Sequence, residues 1–343
     1  MKAIVLDNPN AFRLAADHAG DTGPLPPGHA RVRTRRVGIC GTDWHAIAGR
    51  QPFFSYPRIL GHELGVEVVE VNDPDGPSGL KPGDRCSVEP YLNCGQCVAC
   101  RRGRGNCCVN MQVLGVHADG GMRETFTLPA RKLHKSDKLS LDQLALVETL
   151  AIGCHAVARA QVEAGERVLI LGAGPIGLSV VPFVQADGGV PVVADVSESR
   201  LDFVRRQMKV AETIDARGDV IAALLAGGGD ELPTCVIDAT GNPPSMMSCF
   251  DRVAPGGRIV FVGLFPGDVT FNDPNFHRRE TTLLASRNAL PGDFTRIIKL
   301  IEDGVVDTGP WITHRTSADA FCDVVTAWQK PEANVLKAMV EFD

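Results

Sequence analysis

The sequence predicts an α/β chain in which a doubly wound, parallel-sheet domain interrupts a β-rich one, and three observations carry that prediction. The 343 residues exceed one ordinary domain and suit two, each long enough to bury its own core. Residues 1 to about 145 alternate short apolar runs with Gly, Pro and Asp turns, whereas residues from about 148 to 286 read strand, helix, strand, helix. Within the second stretch the apolar run Val168 to Leu171 leads straight into Gly172-Ala173-Gly174-Pro175-Ile176-Gly177, which is GxGxxG between a strand and a helix.

In chain order, MKAIVL, ARVRTRRVGIC, VEVVEV, DRCSVEP and FTLPARKLHK are the expected strands of the β-rich part. In the glycine turn, Gly172 permits the tight bend, Gly174 lets backbone approach a pyrophosphate and Gly177 allows close helix-to-strand packing, while Pro175 and Ile176 open the helix whose free N–H groups face the anion. Glycine-rich turns also serve many connections without a ligand, so strand, helix and a following acid are all needed. That acid is Asp195, 23 residues beyond Gly172 and at the end of the apolar run Val190 to Ala194. It suits the ribose hydroxyls of NAD, with Arg200 as a contact to ribose or phosphate. Pro182 falls inside the helix and predicts a kink. Further strands are expected at Cys235 to Ala239, Ile259 to Gly263 and Thr282 to Ala285, for a sheet of about six. After Arg287, an amphipathic helix (Phe294, Ile297, Ile298, Ile301) and a strand near Val335 to Glu341 are too little for a domain and should return to the β-rich part. The expected domains are therefore 1–147 with 287–343, and 148–286.

Net charge is −6 with acids and bases interspersed and no basic tract, which argues against a nucleic-acid partner. No apolar run approaching the roughly 18 residues of a membrane span is apparent, and the first residues lack a signal-peptide core. A cytoplasmic setting without membrane partners is expected. Eleven cysteines in such a setting point to metal ligation or chemistry before disulfides.

Cys94, Cys97, Cys100 and Cys108 follow C-x2-C-x2-C-x7-C, with Gly95, Gly103 and Gly105 allowing the loop to fold round one ion. Four thiolates close a tetrahedral zinc shell, so this lobe, about residues 90–110, should hold a structural zinc; Cys107 is the alternative fourth ligand. A second, dispersed set comprises Cys40 in GICGTDWH, His62 and Glu63 in LGHELG, and Glu148 in VETLAIGCHA. Singly, each has a bland reading as a core thiol or a surface pair.

Together these residues resemble the zinc-dependent medium-chain alcohol dehydrogenases over nearly the whole chain. The resemblance implies a GroES-like β domain carrying a catalytic and a structural zinc, a central Rossmann domain binding NAD, and a homodimer or homotetramer. It implies a catalytic zinc held by Cys40, His62 and Glu63, with Glu148 contacting the ion directly or through its water, although Thr149 stands where proline usually follows the acid. Cys40 and Glu63 would cancel the charge of that zinc. Thr42 would lie nearest the substrate hydroxyl, and His45 would pass its proton towards solvent. GHE with an acid at position 148 is similar to the sorbitol and threonine dehydrogenase branch. LGVHADGG and ASRNAL resemble its sugar-acid members, implying oxidation of a hexonate such as L-galactonate or L-gulonate, or of a polyol, with His117, Arg287 and Asn288 as substrate contacts. A threonine- or sorbitol-dehydrogenase-like enzyme is the alternative, and an NAD-binding sensor without turnover a further one.

Overall fold

The computed structural model describes residues 1–51, 54–74 and 76–343. The chain forms two compact units, Met1–Thr149 with Leu290–Asp343, and Leu150–Ala289. The divisions fall two to three residues beyond the boundaries drawn from sequence. Glu148 thus belongs to the first unit, and Arg287 and Asn288 to the second. The first shift has a plain cause: Glu148 and Thr149 lie within the uninterrupted helix Leu141–Ala160, where no turn marks the change.

In the first unit the strand His29–Ile39 is central, paired antiparallel with Glu63–Asn72, Thr125–Pro129 and Lys337–Glu341. Its first half alternates as a half-buried strand should: Ala30, Val32 and Thr34 are buried while arginines point outward. Register shifts at Arg31/Val32 and Thr34/Arg36 break that alternation and leave Val37, Gly38 and Ile39 all buried. The C-terminal strand does return here, Ala338 opposite Ile39 and Val340 opposite Val37, and it brings Lys337 into the interior. The core includes Ile4, Val32, Leu64, Val66, Phe126 and Val340.

The second unit is a six-stranded sheet in the order Glu212–Asp215, Val190–Asp195, Arg167–Leu171, Cys235–Asp238, Arg258–Phe261, Thr282–Ala285, parallel throughout. This is the doubly wound arrangement, with the ligand crevice expected beyond the carboxyl ends of the strands where the order reverses. Glu212–Asp215 is the strand not named from sequence; its ETID is too short and polar to stand out. The helix Pro175–Ala186 continues past a buried Pro182.

One helix departs from the expectation that no stretch has the length and apolarity of a membrane span. The helix Leu141–Ala160 has the length and, with a mean hydropathy of 1.3, the apolarity of a membrane span. Across its most apolar stretch 72% is buried within the protein, so core packing accounts for that composition.

Candidate active site

In the first unit the ligand atoms of Cys40, His62 and Glu63 all lie within 4.8 Å of one another. Cys40 stands where the central strand ends and the helix Gly41–Ile47 begins. His62 and Glu63 stand at the start of the adjacent strand, where Glu63 is the register partner of Gly38. A Cβ at position 38 would meet Glu63 Oε2 at 2.2 Å, so only glycine there leaves room for the carboxylate.

The surroundings favour a cation. Asp43, 1% exposed, accepts a hydrogen bond from the Cys40 backbone N–H at 2.9 Å, while its Oδ1 faces His62 Nδ1 at 3.6 Å. Those last two atoms are buried and lack a hydrogen-bond partner among the described residues. A metal on the other ring nitrogen would fix the proton on Nδ1 and turn it to Asp43, the carboxylate–histidine arrangement of many metal sites. Burial alone would push His62 down, yet Asp43 and then Cys40 carry it well above its ordinary value. That upward push reflects anionic surroundings of the kind a cation would neutralise. These residues fit a zinc ion.

Two partners of this cluster were not legible in the sequence. Lys337 Nζ, 1% exposed, donates to both Glu63 oxygens at 2.6 and 2.7 Å. Burial opposes both charges, but their mutual attraction prevails, holding Glu63 below and Lys337 above the ordinary range. The expected charge balance, Cys40 and Glu63 against the ion, therefore omits a cation that shares Glu63. The second partner is Tyr91, whose hydroxyl donates to Glu148 Oε1 at 2.5 Å. Glu148 itself is buried and lies outside the three-residue set. Burial, and the charge of Glu63 after it, raise its carboxyl above the usual value against the pull of His62.

Cys94, Cys97, Cys100 and Cys108 also converge, with sulfur atoms within 4.8 Å. Cys108 Sγ lies 3.4 Å from Cys94 Sγ and 3.9 Å from Cys97 Sγ. A zinc tetrahedron with bonds of about 2.3 Å has edges of roughly 3.8 Å, so the spacing fits that ion. Backbone N–H groups of Cys100 and Val109 lower the Cys97 thiol to about 6, as suits a ligand needed as thiolate. Cys107 is exposed and stays outside the set, which removes it as the alternative ligand.

In the second unit a crevice is lined by Gly172, Gly174, Asp195, Arg200 and Thr240 among others. Gly172 has φ 95°, and a Cβ on Gly177 would lie 1.8 Å from Gly172 O, so both glycines are required by the protein. Gly174 differs: a Cβ there would approach nothing nearer than Arg200 Nη1 at 3.9 Å. Its small size keeps the crevice clear, the property that a close-lying pyrophosphate needs. Pro175 is the first residue of its helix, and Ile176 follows. Asp195 accepts from the N–H groups of Ala173 at 2.6 Å and Ser197 at 2.7 Å, fixing its carboxylate at the strand end, and Arg200 donates to Ala173 O at 3.2 Å. The residues fit a dinucleotide.

Of the remaining predicted residues, Thr42 and the exposed His45 lie in the helix that Cys40 precedes. His117, in the first unit, accepts at Nδ1 from Val113 N–H at 3.1 Å, leaving its proton on Nε2. In the second unit Arg287 is exposed and Asn288 adopts φ 51°, beyond the last strand.

Comparison with known proteins agrees with this geometry. Residues 26–138 match the alcohol dehydrogenase GroES-like domain, and residues 175–303 match the zinc-binding dehydrogenase family. The chain is 43% identical over 323 residues to the L-galactonate-5-dehydrogenase of Escherichia coli (strain K12), covering 93% of this chain and 94% of that protein. Its fold is similar to that of an alcohol dehydrogenase from E. coli CFT073 complexed with NADH (26% identity, TM-score 0.88, covering 100% of this chain and 99% of that one). It is also similar to a zinc-binding dehydrogenase from Sinorhizobium meliloti 1021 bound to NADP (28% identity, TM-score 0.88, covering 99% of each).

Proposed function

Because the chain belongs to the zinc-type medium-chain alcohol dehydrogenase family, we propose that it oxidises a secondary hydroxyl of a sugar acid or polyol with NAD, using zinc at Cys40, His62 and Glu63. The observation that carries the reading is the convergence of those three residues, from two separated stretches of the sequence, beside buried His62 and Asp43 atoms that lack a hydrogen-bond partner among the described residues. Zinc there supplies Lewis acidity that lowers the pKa of a bound alcohol. Cys40 and Glu63 offer anionic ligands, and Asp43 orients His62 and the Cys40 backbone. The Thr42 hydroxyl would accept the substrate's proton as it gives up its own, and the exposed His45 would take up the relayed proton and release it to water. The crevice of the second unit orients NAD as hydride acceptor through Gly172, Gly174 and Asp195. The four-cysteine lobe holds a second, structural zinc. Similarity to an L-galactonate-5-dehydrogenase supports a hexonate such as L-galactonate as substrate. None of the eleven cysteines is paired in a disulfide, and five of them are assigned here to zinc, which supports a reducing, cytoplasmic setting. The open edge of Thr282–Ala285, with Leu283 39% exposed, supports a homo-oligomer. Zinc-dependent NADH formation, measured across hexonates, polyols and threonine, tests the reading. Highest kcat/KM on threonine or on a neutral polyol would overturn the sugar-acid assignment.

Asp195 predicts the cofactor preference. A carboxylate fixed by two backbone N–H groups would repel a 2′-phosphate, and Val196 and Ser197 supply no replacement cation. NAD should therefore exceed NADP in kcat/KM by more than tenfold, with Asp195→Ala narrowing the gap. Equal use of both cofactors by the unaltered enzyme would refute this.

The substrate prediction rests on Arg287. A guanidinium can hold a carboxylate through two parallel hydrogen bonds, and the neighbouring Asn288 carries an amide of the kind that binds hydroxyls. A charged hydrogen bond of about 1.5–3 kcal/mol gives a hexonate a roughly ten- to hundredfold advantage in kcat/KM over the matching neutral polyol. Arg287→Ala should remove that advantage selectively. If the variant loses NAD affinity and keeps the preference, Arg287 serves the cofactor instead.

A further inference from the structure

Tyr91 has no part in the proposed reaction, yet its hydroxyl is bonded to Glu148, the buried acid next to the Cys40–His62–Glu63 cluster. Its ring is 3% exposed, and its hydroxyl has one hydrogen-bond partner among the described residues, Glu148 Oε1. The ring is held on more than one side. Tyr91 pairs in register with Val113, and its ring meets that of Phe294 in a T-shaped contact with 6.4 Å between centroids. Phe294 in turn stacks on His134 at 4.8 Å, and His134 Nε2 lies 3.3 Å from the buried Glu89. A side chain packed in this way offers its hydroxyl at a fixed point, so it can restrain a carboxylate that would otherwise move. Glu148 needs restraint. It is a buried acid beside a proposed zinc shell, and a carboxylate that joined the shell would fill the position an open site must keep for substrate.

We propose that Tyr91 is a positioning residue that tethers Glu148 off the Cys40–His62–Glu63 shell and thereby keeps the substrate's position open. The inference rests on the reading of that cluster as a zinc site. With one oxygen engaged by Tyr91, Glu148 stays close enough to balance charge and too constrained to compete with the incoming hydroxyl. Without the tether it becomes an internal competitor of substrate. Competition of that kind has a definite kinetic form: a higher KM at nearly unchanged kcat.

The test is Tyr91→Phe, which keeps the ring and its packing and deletes only the donor. The variant, as holoenzyme, should show KM for the alcohol raised about tenfold with kcat within about twofold, and zinc should leave to a chelator about tenfold more slowly. In protein with cobalt at the Cys40 site, the visible absorption bands without substrate should shift as a carboxylate enters the shell. All three changes should vanish when Tyr91→Phe is made in a Glu148→Gln background, because an amide is a poor ligand. The proposal is overturned if Tyr91→Phe leaves KM, metal loss and the cobalt bands as they were, or if it changes them equally in the Glu148→Gln background. Wild-type protein that takes up cobalt only at the four-cysteine lobe would overturn the zinc reading itself, a separate and recognisable failure.

Discussion

Cys40→Ser is expected to reduce bound zinc from two ions per chain to one and to lower turnover at least a thousandfold, while NAD binding persists. The two clusters are distinct, one of four thiols and one of three mixed ligands. Replacing a thiolate by a hydroxyl removes the strongest donor of the smaller shell. Losing Lewis-acid stabilisation worth about 4 kcal/mol or more corresponds to that factor in rate. The crevice that binds the dinucleotide lies wholly in Leu150–Ala289, so titration with NADH should be little altered. Cys94→Ser is the counterpart: it should lower stability and soluble yield, with chemistry surviving in whatever fraction folds. Metal analysis beside steady-state kinetics separates the two. One zinc ion in fully active protein would contradict the two-site assignment.

The second large effect is expected of Lys337→Met. Both Lys337 and Glu63 are 1% exposed, and the lysine is bonded to both carboxylate oxygens. Removing one member of such a pair leaves a buried charge uncompensated, at a cost of about 3–5 kcal/mol. A metal held at the Cys40–His62–Glu63 cluster would supply compensating charge to Glu63. The loss should therefore be largest in metal-free protein and smaller when zinc is present, as measured by urea denaturation with and without chelator. Equal losses under both conditions would place Glu63 away from the ion. Lys337→Met with Glu63→Gln should recover much of the stability, since neither charge then remains.

The parts of this molecule that the sequence discloses are those whose reasons are local. Gly172, Gly174 and Gly177 are spaced by the needs of one turn, and Asp195 ends the next strand, so the crevice can be read within about 25 residues. The cysteine lobe is equally local. Cys40, His62 and Glu63 are recognisable only through family resemblance, because register between His29–Ile39 and Glu63–Asn72 brings them together. Lys337 carries no local sign at all: in NVLKAMVEFD a lysine reads as the exposed side of a strand, and its partner lies 274 residues away. Tyr91 reads as an ordinary core aromatic until Glu148 is seen against its hydroxyl. Asp43 follows Cys40 so closely that it passes for a helix-capping acid, which it also is. Residues that support a site through another element are thus the ones spacing leaves hidden.

That separation between Glu63 and Lys337 has a consequence for how the protein is made. Ribosomes add about 5–20 residues per second, so the lysine is synthesised roughly 14–55 seconds after the carboxylate it neutralises. Throughout that interval the strands His29–Ile39 and Glu63–Asn72 can pair, yet the strand Lys337–Glu341 that flanks the first of them does not exist. Burying Glu63 without its cation is unfavourable, so the nascent first unit should remain open around that position while the second unit, continuous in sequence from Leu150 to Ala289, completes its sheet. The order of synthesis thereby delays closure of the metal cluster until the last strand has arrived, and a nascent chain stalled before Lys337 should carry a finished dinucleotide fold beside an unfinished catalytic one.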